Sequence, residues 1–193
     1  MSQEKDFNEG KKKSLLKLKN AIKNKEVDEN ILPILNLINE SENFFTTSSC
    51  FGRIVLLEIP IIGDKKNARF LGKWHRTIEI NEFIEARKNA KTGQLWLLAQ
   101  SPVIHIVANN IYNADKILKL AISCGFKHSG IKSFDKKNVV EICSTERIDA
   151  PIGKNKEFFC NDIFLQLLID ISNEVIKKST KKLNKLQEKL KNL

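Results

Sequence analysis

The stretch FFTTSSCFGRIVLLEIP, residues 44–60, joins a run of small hydroxyl residues to an apolar segment that begins at an arginine. Arg53–Ile59 is rich in aliphatic residues and is ended by Pro60, which cannot donate to a ladder, so this segment predicts a β-strand. The hydroxyl residues before it predict a turn, where short side chains and free backbone N–H groups can surround an anionic or polar ligand. Local turn chemistry alone also explains such a run, and both interpretations stay open at this point.

Helical and strand-like patterns alternate around this stretch without a clean repeat of βαβ units. Apolar spacing of three and four residues indicates helices, and short aliphatic runs bounded by turn residues indicate strands. The helical segments are residues 11–24, one capped by Asp28, 81–90, one that opens at Asn113 and ends at Gly125, and one from about Asn161 to the end of the chain. The further strand-like segments are 70–78, 94–100, 103–109, 138–144 and 147–152, of which 94–100 and 103–109 form one bent strand or two.

This mixture predicts an α+β fold, with a single domain over residues 1–193 and a mixed β-sheet flanked by helices. The long C-terminal helix carries an apolar stripe that ends at Leu193. We expect its first half to pack on the sheet and its lysine-rich second half to project or to frame a groove. The eight glycines never fall at G-x-G spacing, so a dinucleotide fingerprint and a P-loop are both missing and a Rossmann fold is not expected.

Positive charge is concentrated at both ends of the chain. The formal net charge is +10, and the excess of lysine lies in the first 25 residues and between Lys177 and Lys191. Two basic ends suggest a polyanionic partner, because neutralising phosphates releases condensed counterions. The alternative is that these lysines only keep the exposed faces of terminal helices in water. A membrane is the weaker candidate, since neither end has a strongly apolar interfacial face and no apolar run reaches the ~20 residues that span a bilayer.

The cysteines and histidines do not predict a metal site. Four cysteines form no C-x-x-C pair and no secretory leader precedes them, which predicts a reducing, cytoplasmic location. Cys124 and His128 offer two ligands, whereas a structural zinc site needs three or four. We therefore expect no bound metal.

Three short segments contain residues with the chemistry of a binding or catalytic site. Gly52 allows close approach of a ligand, and Arg53 can grip a carboxylate or phosphate with two hydrogen bonds. Lys73 and Trp74 place a cation beside an aromatic face that can stack on a base with about 1 to 3 kcal/mol, although a half-buried structural tryptophan is the more common case. His105 lies in an apolar run, where a histidine satisfied within the core is the usual outcome.

Several segments taken together resemble the tRNA wybutosine-synthesizing methyltransferase family in its archaeal form. The likeness covers nearly the whole chain, and its most specific part is the combination of TTSSC-x-GR with A-x-x-x-GF-x-x-SGI in this order. The matching segments are TTSSCFGRI at 46–54, Lys73-Trp74, IHIVANNIYNADKILKLAISCGFKHSGI at 104–131, STERIDAPIG at 144–153 and the basic C-terminal helix.

The resemblance implies methyl transfer from S-adenosyl-L-methionine to the ring nitrogen N-4 of 7-(3-amino-3-carboxypropyl)-demethylwyosine at position 37 of tRNA(Phe). Charge is dispersed in such a displacement, so alignment of nitrogen, methyl and sulfur can supply most of the catalysis, and the nitrogen must also lose a proton. The implied site residues are His105 as the proton acceptor, Ser48, Ser49, Arg53, Ser129 and Gly130 for the cofactor, and Lys73, Trp74, Ser144 and Thr145 for the substrate.

Two residues depart from the pattern of this family. Phe51 stands at the position of a small residue, and we expect it to narrow the turn or to add a stacking face. Cys143 stands at the position of an arginine, so an anion contact is missing or is supplied by another residue such as Arg147. The competing hypothesis is a non-catalytic tRNA- or RNA-binding protein, which the basic ends and the missing G-x-G loop favour.

Overall fold

The computed structural model describes residues 2–134 and 137–192, which divide into two compact units. The first unit comprises the described residues of Met1–Phe51, Pro102–Thr145 and Thr180–Leu193, and the second comprises Gly52–Ser101 and Glu146–Ser179. The described elements are, in chain order, α1 (Ser2–Lys23), a 3-10 turn (Glu29–Ile31), α2 (Leu32–Glu40), β1 (Phe44–Cys50), β2 (Arg53–Ile59), β3 (Arg69–Trp74), α3 (Ile80–Arg87), β4 (Gln94–Gln100), β5 (Val103–Ala108), α4 (Ile111–Ser123), β6 (Gly130–Ser133), β7 (Asn138–Cys143), β8 (Arg147–Lys154), β9 (Glu157–Phe158) and α5 (Asp162–Leu190). The expectation of one domain over residues 1–193 stays a prediction.

The first unit is built on a four-stranded antiparallel sheet with the order β1-β5-β7-β6. Alternate residues of each strand point to opposite faces of this sheet. One face carries Phe44, Ile104, Ile106, Val140 and Ile142, which are buried against α2, α4 and the last turns of α5. This core fixes the register, because a slip of one residue would turn the apolar set of a strand away from the helices.

The N-terminal helix α1 covers one end of the opposite face of the same sheet. Phe7 packs there on Phe45, with ring centroids 5.1 Å apart, and on Val107 and Val139. The helix approaches closely at Gly10, where an added Cβ would lie 3.2 Å from the Phe45 ring. Farther along the strands this face carries polar side chains instead of apolar ones.

The second unit is built on a five-stranded antiparallel sheet with the order β3-β2-β4-β8-β9. Leu56 and Leu97 are fully buried in its core together with Phe83 of α3 and residues of the first turns of α5. The helix α3 begins with a capping box in which Glu79 and Glu82 each accept from a backbone N–H of the other. The expectation that Asn81 caps this helix was wrong, because the cap is Glu79, two residues earlier.

The α+β class and the long C-terminal helix are confirmed. The single mixed sheet is wrong, because all described strand pairs are antiparallel and belong to two sheets, unlike the parallel sheet of a Rossmann fold. The reason lies in the two breaks between neighbouring strands: Gly52 has φ 99° after β1, and Pro102, which has no N–H to donate, separates β4 from β5. Residues 94–100 and 103–109 are thus two strands.

The hydroxyl run is part of β1 and does not form the turn that the sequence predicted. Thr46, Ser48 and Ser49 are paired with residues of β5, so their backbone groups belong to the ladder. β1 is an edge strand, so the ladder bonds only those of its backbone groups that face β5. The run therefore presents the side chains of a strand and not the backbone of a turn.

The second half of α5 packs into the core of the first unit and does not project. The other expectation for this half, that it frames a groove, stays a prediction. Leu183, Leu186 and Leu190 are buried in the core of the first unit. Their spacing continues the apolar stripe, and the lysines between them occupy the other sides of the helix. Leu193 lies outside the described residues. Among the residues that the structure describes, no helix is both long and apolar enough to cross a membrane.

Candidate active site

Ser48, His105 and Glu141 lie side by side on three neighbouring strands of the first unit. The register pairs Ser48 of β1 with His105 of β5, and His105 with Glu141 of β7. The Oγ atom of Ser48 lies 2.9 Å from Nδ1 of His105, and Oε2 of Glu141 lies 3.0 Å from Nε2 of the same ring. We call these three side chains the Ser-His-Glu row. It crosses the face of the sheet that points away from the main core, so His105 is not the satisfied core histidine that its apolar neighbours suggest.

Lys132 of β6 extends the row at its far end. Its Nζ atom lies 2.7 Å from Oε1 of Glu141. The hydrogen bond from Lys132 lowers the pKa of Glu141 from its ordinary value, the positive charge of Lys132 and the contact with His105 act in the same direction, and burial opposes them. Glu141 is thus a carboxylate at neutral pH, with a side chain 18% exposed, beside an imidazole that is 29% exposed.

A β-bulge in β1 turns Ser48 toward His105. Thr46 pairs with Ile106 and Ser48 pairs with His105, so two steps along β1 correspond to one step along β5 and Thr47 is the extra residue. Without a bulge, Thr46 and Ser48 would point to the same face. Thr46 is instead buried on the helix-covered side, where its hydroxyl and backbone N–H bond to Asn39 of α2. The bulge therefore anchors Thr46 in the core and brings the Ser48 hydroxyl into the row.

Gly130 leaves open space beside the row. It stands opposite Glu141 in the register of β6 and β7. A Cβ atom added to Gly130 would meet no atom within 4 Å. The sheet face is therefore open at the carboxylate end of the row, and the cofactor contact expected of Gly130 stays a prediction.

Ser129 and Ser144 have structural bonds in the first unit. The Oγ of Ser129 donates to the Phe126 carbonyl at 2.7 Å and accepts from the Cys143 N–H at 3.1 Å. Ser144 is buried, and its Oγ accepts from Nζ of Lys182 at 2.7 Å. These bonds brace the ends of β6 and β7, and the ligand contacts of both serines stay predictions. The neighbouring Thr145 is exposed.

Arg53 starts β2 in the second unit and is held by two contacts. Its Nε donates to Oε1 of Gln100 at 2.9 Å, and its guanidinium lies over the ring of Phe70, 5.4 Å from the centroid. Both contacts orient a planar group that suits a carboxylate or phosphate. The expected anion contact of Arg53 is compatible with this arrangement and stays a prediction.

Lys73 and Trp74 differ in what they offer to a ligand. Lys73 is exposed on β3, whereas Trp74 packs against Phe83, with ring centroids 6.0 Å apart, at the edge of the second core. The indole also covers Gly72, where an added Cβ would lie 2.0 Å from the ring. Trp74 therefore has a structural role in the second unit, and its stacking on a base stays a prediction. The adjacent His75 donates from Nδ1 to the Gly52 carbonyl at 2.8 Å.

Phe51 belongs to the hydrophobic core of the first unit. Its side chain is only 8% exposed and packs among the residues that α2, α4 and α5 cover. The expectation that Phe51 would narrow a turn or add a stacking face was wrong, because Phe51 directly follows β1 and its side chain is buried in the core. Cys143, the other departure, is half-buried, and its Sγ donates to the Ser144 carbonyl at 3.5 Å.

Glu141 and Lys132 were not identified as site residues from the sequence. A signal was present, because Glu141 is a single acidic residue inside the apolar run NVVEIC, and such a residue needs a partner when the strand is half-buried. The partner could not be found from the sequence, since the helix α4 and the strand β6 separate His105 from Glu141 in the chain.

A family model described as Methyltransferase TYW3 matches residues 9–192. The chain belongs to the Methyltransferase TYW3 family. This membership confirms the resemblance drawn from the sequence motifs, and methyl transfer is the family's chemistry. Two members of the Ser-His-Glu row lie on segments that carried the motifs, since Ser48 belongs to TTSSCFGRI and His105 to the 104–131 segment, whereas Glu141 lies between two such segments.

Curated relatives within the Methyltransferase TYW3 family match nearly the full length of the chain. A Pyrococcus abyssi protein named tRNA(Phe) 7-((3-amino-3-carboxypropyl)-4-demethylwyosine(37)-N(4))-methyltransferase 1 is 46% identical over 189 residues, which cover 97% of both chains. A Methanocaldococcus jannaschii protein, named as a methyltransferase of the same tRNA(Phe) nucleotide, is 45% identical over 175 residues, covering 90% of this chain and 91% of the relative.

Solved structures show the same fold. The PH1069 protein from Pyrococcus horikoshii aligns with a TM-score of 0.93 at 46% identity and covers 98% of both chains. A hypothetical protein from Aeropyrum pernix aligns with a TM-score of 0.73 at 28% identity, covering 86% of this chain and 98% of the other. The chain thus shares its overall architecture with these two solved structures.

Proposed function

We propose that the protein transfers a methyl group to the ring nitrogen N-4 of 7-(3-amino-3-carboxypropyl)-demethylwyosine at position 37 of tRNA(Phe), in the biosynthesis of wyosine derivatives. The observation that carries this proposal is the 46% identity over 97% of both chains to a relative named for that reaction. The Ser-His-Glu row supports it, because methylation of a ring N–H requires loss of a proton and the row contains an imidazole held by a carboxylate. A tRNA substrate would place the enzyme in the cytoplasm.

The methyl donor under this proposal is S-adenosyl-L-methionine, which when bound supplies an electrophilic methyl group. The open face beside Gly130 offers space of the kind that a ribose or amino-acid moiety needs. Ser49 of β1 and Ser129, which directly precedes β6, are also proposed to contact the cofactor. Arg53 is proposed to bind its carboxylate. The hydroxyl groups, the guanidinium and the open space are therefore chemically suited to such a donor.

Exposed lysines of the terminal helices support binding of tRNA. The lysines on α1 and α5 that reach solvent are Lys5, Lys12, Lys13, Lys17, Lys19, Lys23, Lys177, Lys178, Lys181, Lys185 and Lys189. Each lysine that neutralises a phosphate releases condensed counterions, which gives an affinity that falls steeply with salt. Lys73 of β3 is proposed to contribute to the substrate site, together with Trp74, Ser144 and Thr145.

A direct test is to incubate the protein with labelled S-adenosylmethionine and with tRNA(Phe) that carries the demethylated precursor. We expect one methyl group per tRNA, located in nucleotide 37 after nuclease digestion and mass spectrometry. The matched control is tRNA(Phe) with unmodified guanosine at position 37, which lacks the tricyclic base and should accept no label. Label in neither tRNA, or equal label in both, contradicts the proposal.

Calorimetry separates the enzyme from the non-catalytic RNA-binding alternative. A protein that only binds RNA should give heat with tRNA and none with S-adenosylmethionine. The proposed enzyme should bind both, and His105→Asn should keep the binding of both while it lowers methyl transfer. Absence of S-adenosylmethionine binding in the presence and in the absence of tRNA would favour the RNA-binding module.

A further inference from the structure

We propose that Ser48 is a proton relay between the substrate nitrogen and His105, and that Glu141 is the positioning residue that fixes the tautomer of this histidine. This inference rests on the proposed function, and it replaces the cofactor contact that the sequence assigned to Ser48. It concerns three neighbouring side chains of one sheet, which are joined by the contacts of His105 with Ser48 and with Glu141.

The hydrogen bonds of His105 determine which ring nitrogen carries the proton. A neutral imidazole has one N–H donor and one acceptor nitrogen. Glu141 is ionised and can only accept, so the nitrogen 3.0 Å from its Oε2, which is Nε2, must be the donor. Nδ1 is then the acceptor, and the hydroxyl of Ser48 at 2.9 Å donates to it. The order of donation therefore runs from Ser48 to His105 to Glu141.

The ionised state of Glu141 has its own support in Lys132. A carboxylate with four lone-pair sites can accept from Lys132 through Oε1 and from His105 through Oε2 at the same time. Each oxygen of the carboxylate therefore has its own partner. Lys132 is itself 54% exposed in its side chain, so it stabilises the charge of Glu141 without closing the face of the sheet.

Both ring nitrogens of His105 are engaged, so a substrate cannot reach a free one directly. Ser48 is exposed, whereas the His105 side chain is 29% exposed and lies behind the hydroxyl along the hydrogen-bonded row. The hydroxyl oxygen of Ser48 still has lone pairs that can accept a proton. The first group of the row that a bound N–H can meet is therefore Ser48 Oγ.

The proton transfer balances with the methyl transfer. As the bond from N-4 to the methyl carbon forms, the bond from that carbon to sulfur breaks and its electron pair stays on sulfur. The proton of N-4 moves to Ser48 Oγ while the Ser48 hydroxyl proton moves to His105 Nδ1. The positive charge lost by the sulfonium thus appears on the imidazolium, next to the Glu141 carboxylate, and the half-exposed ring later releases the proton to water.

The same order of groups activates serine nucleophiles in acyl transfer. Methyl transfer provides no acyl group to attack, and here the bulge at Thr47 presents the hydroxyl from a strand instead of a strand-to-helix turn. The row therefore acts in proton movement, with Ser48 returned to its starting state at the end of each cycle.

The state of His105 can be measured without any ligand. Nitrogen-15 spectra of protein labelled at its three histidines, assigned with His105→Gln, report which ring nitrogen is protonated. For the wild type we expect a protonated Nε2 and an unprotonated Nδ1 at a pH where the ring is neutral. In Glu141→Gln we expect both tautomers, because an amide can accept from Nε2–H or donate to Nε2. Lys132→Ala is the matched control and should keep the wild-type tautomer. An unprotonated Nε2 in the wild type, or an unchanged tautomer in Glu141→Gln, overturns the role of Glu141.

The relay itself is tested by single-turnover methyl transfer at saturating S-adenosylmethionine. Ser48→Ala should lower the rate about 100-fold while cofactor affinity by calorimetry changes less than about threefold, and Ser48→Thr should keep a hydroxyl and most of the rate. The control Thr92→Ala removes an exposed hydroxyl of the second unit and should leave the rate unchanged. A rate loss below about 10-fold in Ser48→Ala, or a loss explained by weaker cofactor binding, overturns the relay. If wild-type protein methylates no tRNA, the proposed function fails, while the spectra still decide the role of Glu141.

Discussion

Lys182 donates a hydrogen bond from Nζ to Oγ of the buried Ser144 at 2.7 Å, so a lysine of the basic C-terminal helix holds the end of β7. The stem of Lys182 also packs beside Gly125, where an added Cβ would come within 3.2 Å of Cε. Charge at this end of the chain therefore has two uses. Lys182 serves the fold, and its exposed neighbours are available to a polyanion.

Lys182→Ala should destabilise the protein by about 1.5 to 3 kcal/mol, the range for a lost hydrogen bond to a charged group. The free energy of unfolding, measured by urea titration, checks this value. Lys181→Ala, which removes an exposed lysine of the same helix, should change the free energy of unfolding by less than about 0.5 kcal/mol. Equal effects of the two variants would show that the bond to Ser144 contributes nothing to stability.

Replacing Lys177, Lys181 and Lys185 together with alanine should weaken tRNA binding and flatten its salt dependence. Each lost phosphate contact should reduce the slope of log affinity against log salt by about 0.7 to 0.9. Fluorescence titrations with tRNA between 50 and 200 mM salt (about the range where such slopes are resolved) measure this slope. Lys65→Ala with Lys66→Ala, in the loop after β2, is a charge control and should leave the slope closer to wild type. An unaltered slope in the triple variant would show that these three lysines make no phosphate contacts and are only solvated.

Arg53→Ala should weaken the binding of S-adenosylmethionine or of the tRNA by up to about 3 kcal/mol, the scale of a lost charge-assisted contact. Arg53→Lys keeps the charge but loses the planar group that lies over Phe70 and donates to Gln100, so it should recover only part of the affinity. Calorimetry with S-adenosylmethionine and with tRNA, each measured alone, shows which of the two ligands Arg53 binds. Wild-type affinity of Arg53→Ala for both ligands would remove Arg53 from the site.

Phe51→Ala should destabilise the protein by about 3 kcal/mol or more, because it deletes a buried aromatic ring from the first core. Phe159→Ala is the matched control, since that ring is 73% exposed and its loss should cost less than about 1 kcal/mol. Denaturant unfolding of both variants makes the comparison. Below the unfolding transition, Phe51→Ala should bind S-adenosylmethionine like the wild type, and a specific loss of that binding would instead place Phe51 in the pocket.

Glu82 should give the protein an acid-dependent contribution to stability. The hydrogen bond from Arg76 lowers the pKa of Glu82 to about 2, and the Glu79 backbone N–H acts in the same direction. Because the folded pKa lies below the unfolded one, this contribution is complete above the usual glutamate range and is lost as pH falls toward 2. Glu82→Gln should therefore lower the unfolding midpoint at pH 6 and approach the wild type near pH 2. Glu85→Gln, at an exposed i,i+3 pair with Lys88, should show a smaller effect of pH.

Local elements could be predicted from the sequence because their signals are local. The aliphatic run Arg53–Ile59 and the apolar stripe of the last helix are strand β2 and helix α5. The separation of strands into two sheets could not be predicted, because it depends on which distant segments pair. Ser48 and His105 are 57 positions apart in the chain, and only the bulge at Thr47 places both on one face.

The site was predicted in part. His105 and Ser48 were identified from motifs, whereas Glu141 and Lys132 were missed because their significance comes from the register of β5, β6 and β7. Ser129 and Trp74 lie in motifs but make structural contacts. Ser129 bonds to the backbone and Trp74 packs at the edge of a core, so a motif residue need not be a ligand contact. Motifs therefore pointed to segments of the candidate site, whereas the contacts of each side chain became visible only in the structure.

The first compact unit takes its leading strand from residues 44–50 and part of its core from Leu183, Leu186 and Leu190. During translation its sheet is made long before these leucines leave the ribosome. Until they do, Ile104 and Ile142 lack part of their cover, and a nascent chain in this state exposes apolar surface to chaperones or to aggregation. Premature termination within the last helix should therefore be more damaging than its distance from the Ser-His-Glu row suggests, and neither unit corresponds to one continuous fragment that could be expressed alone.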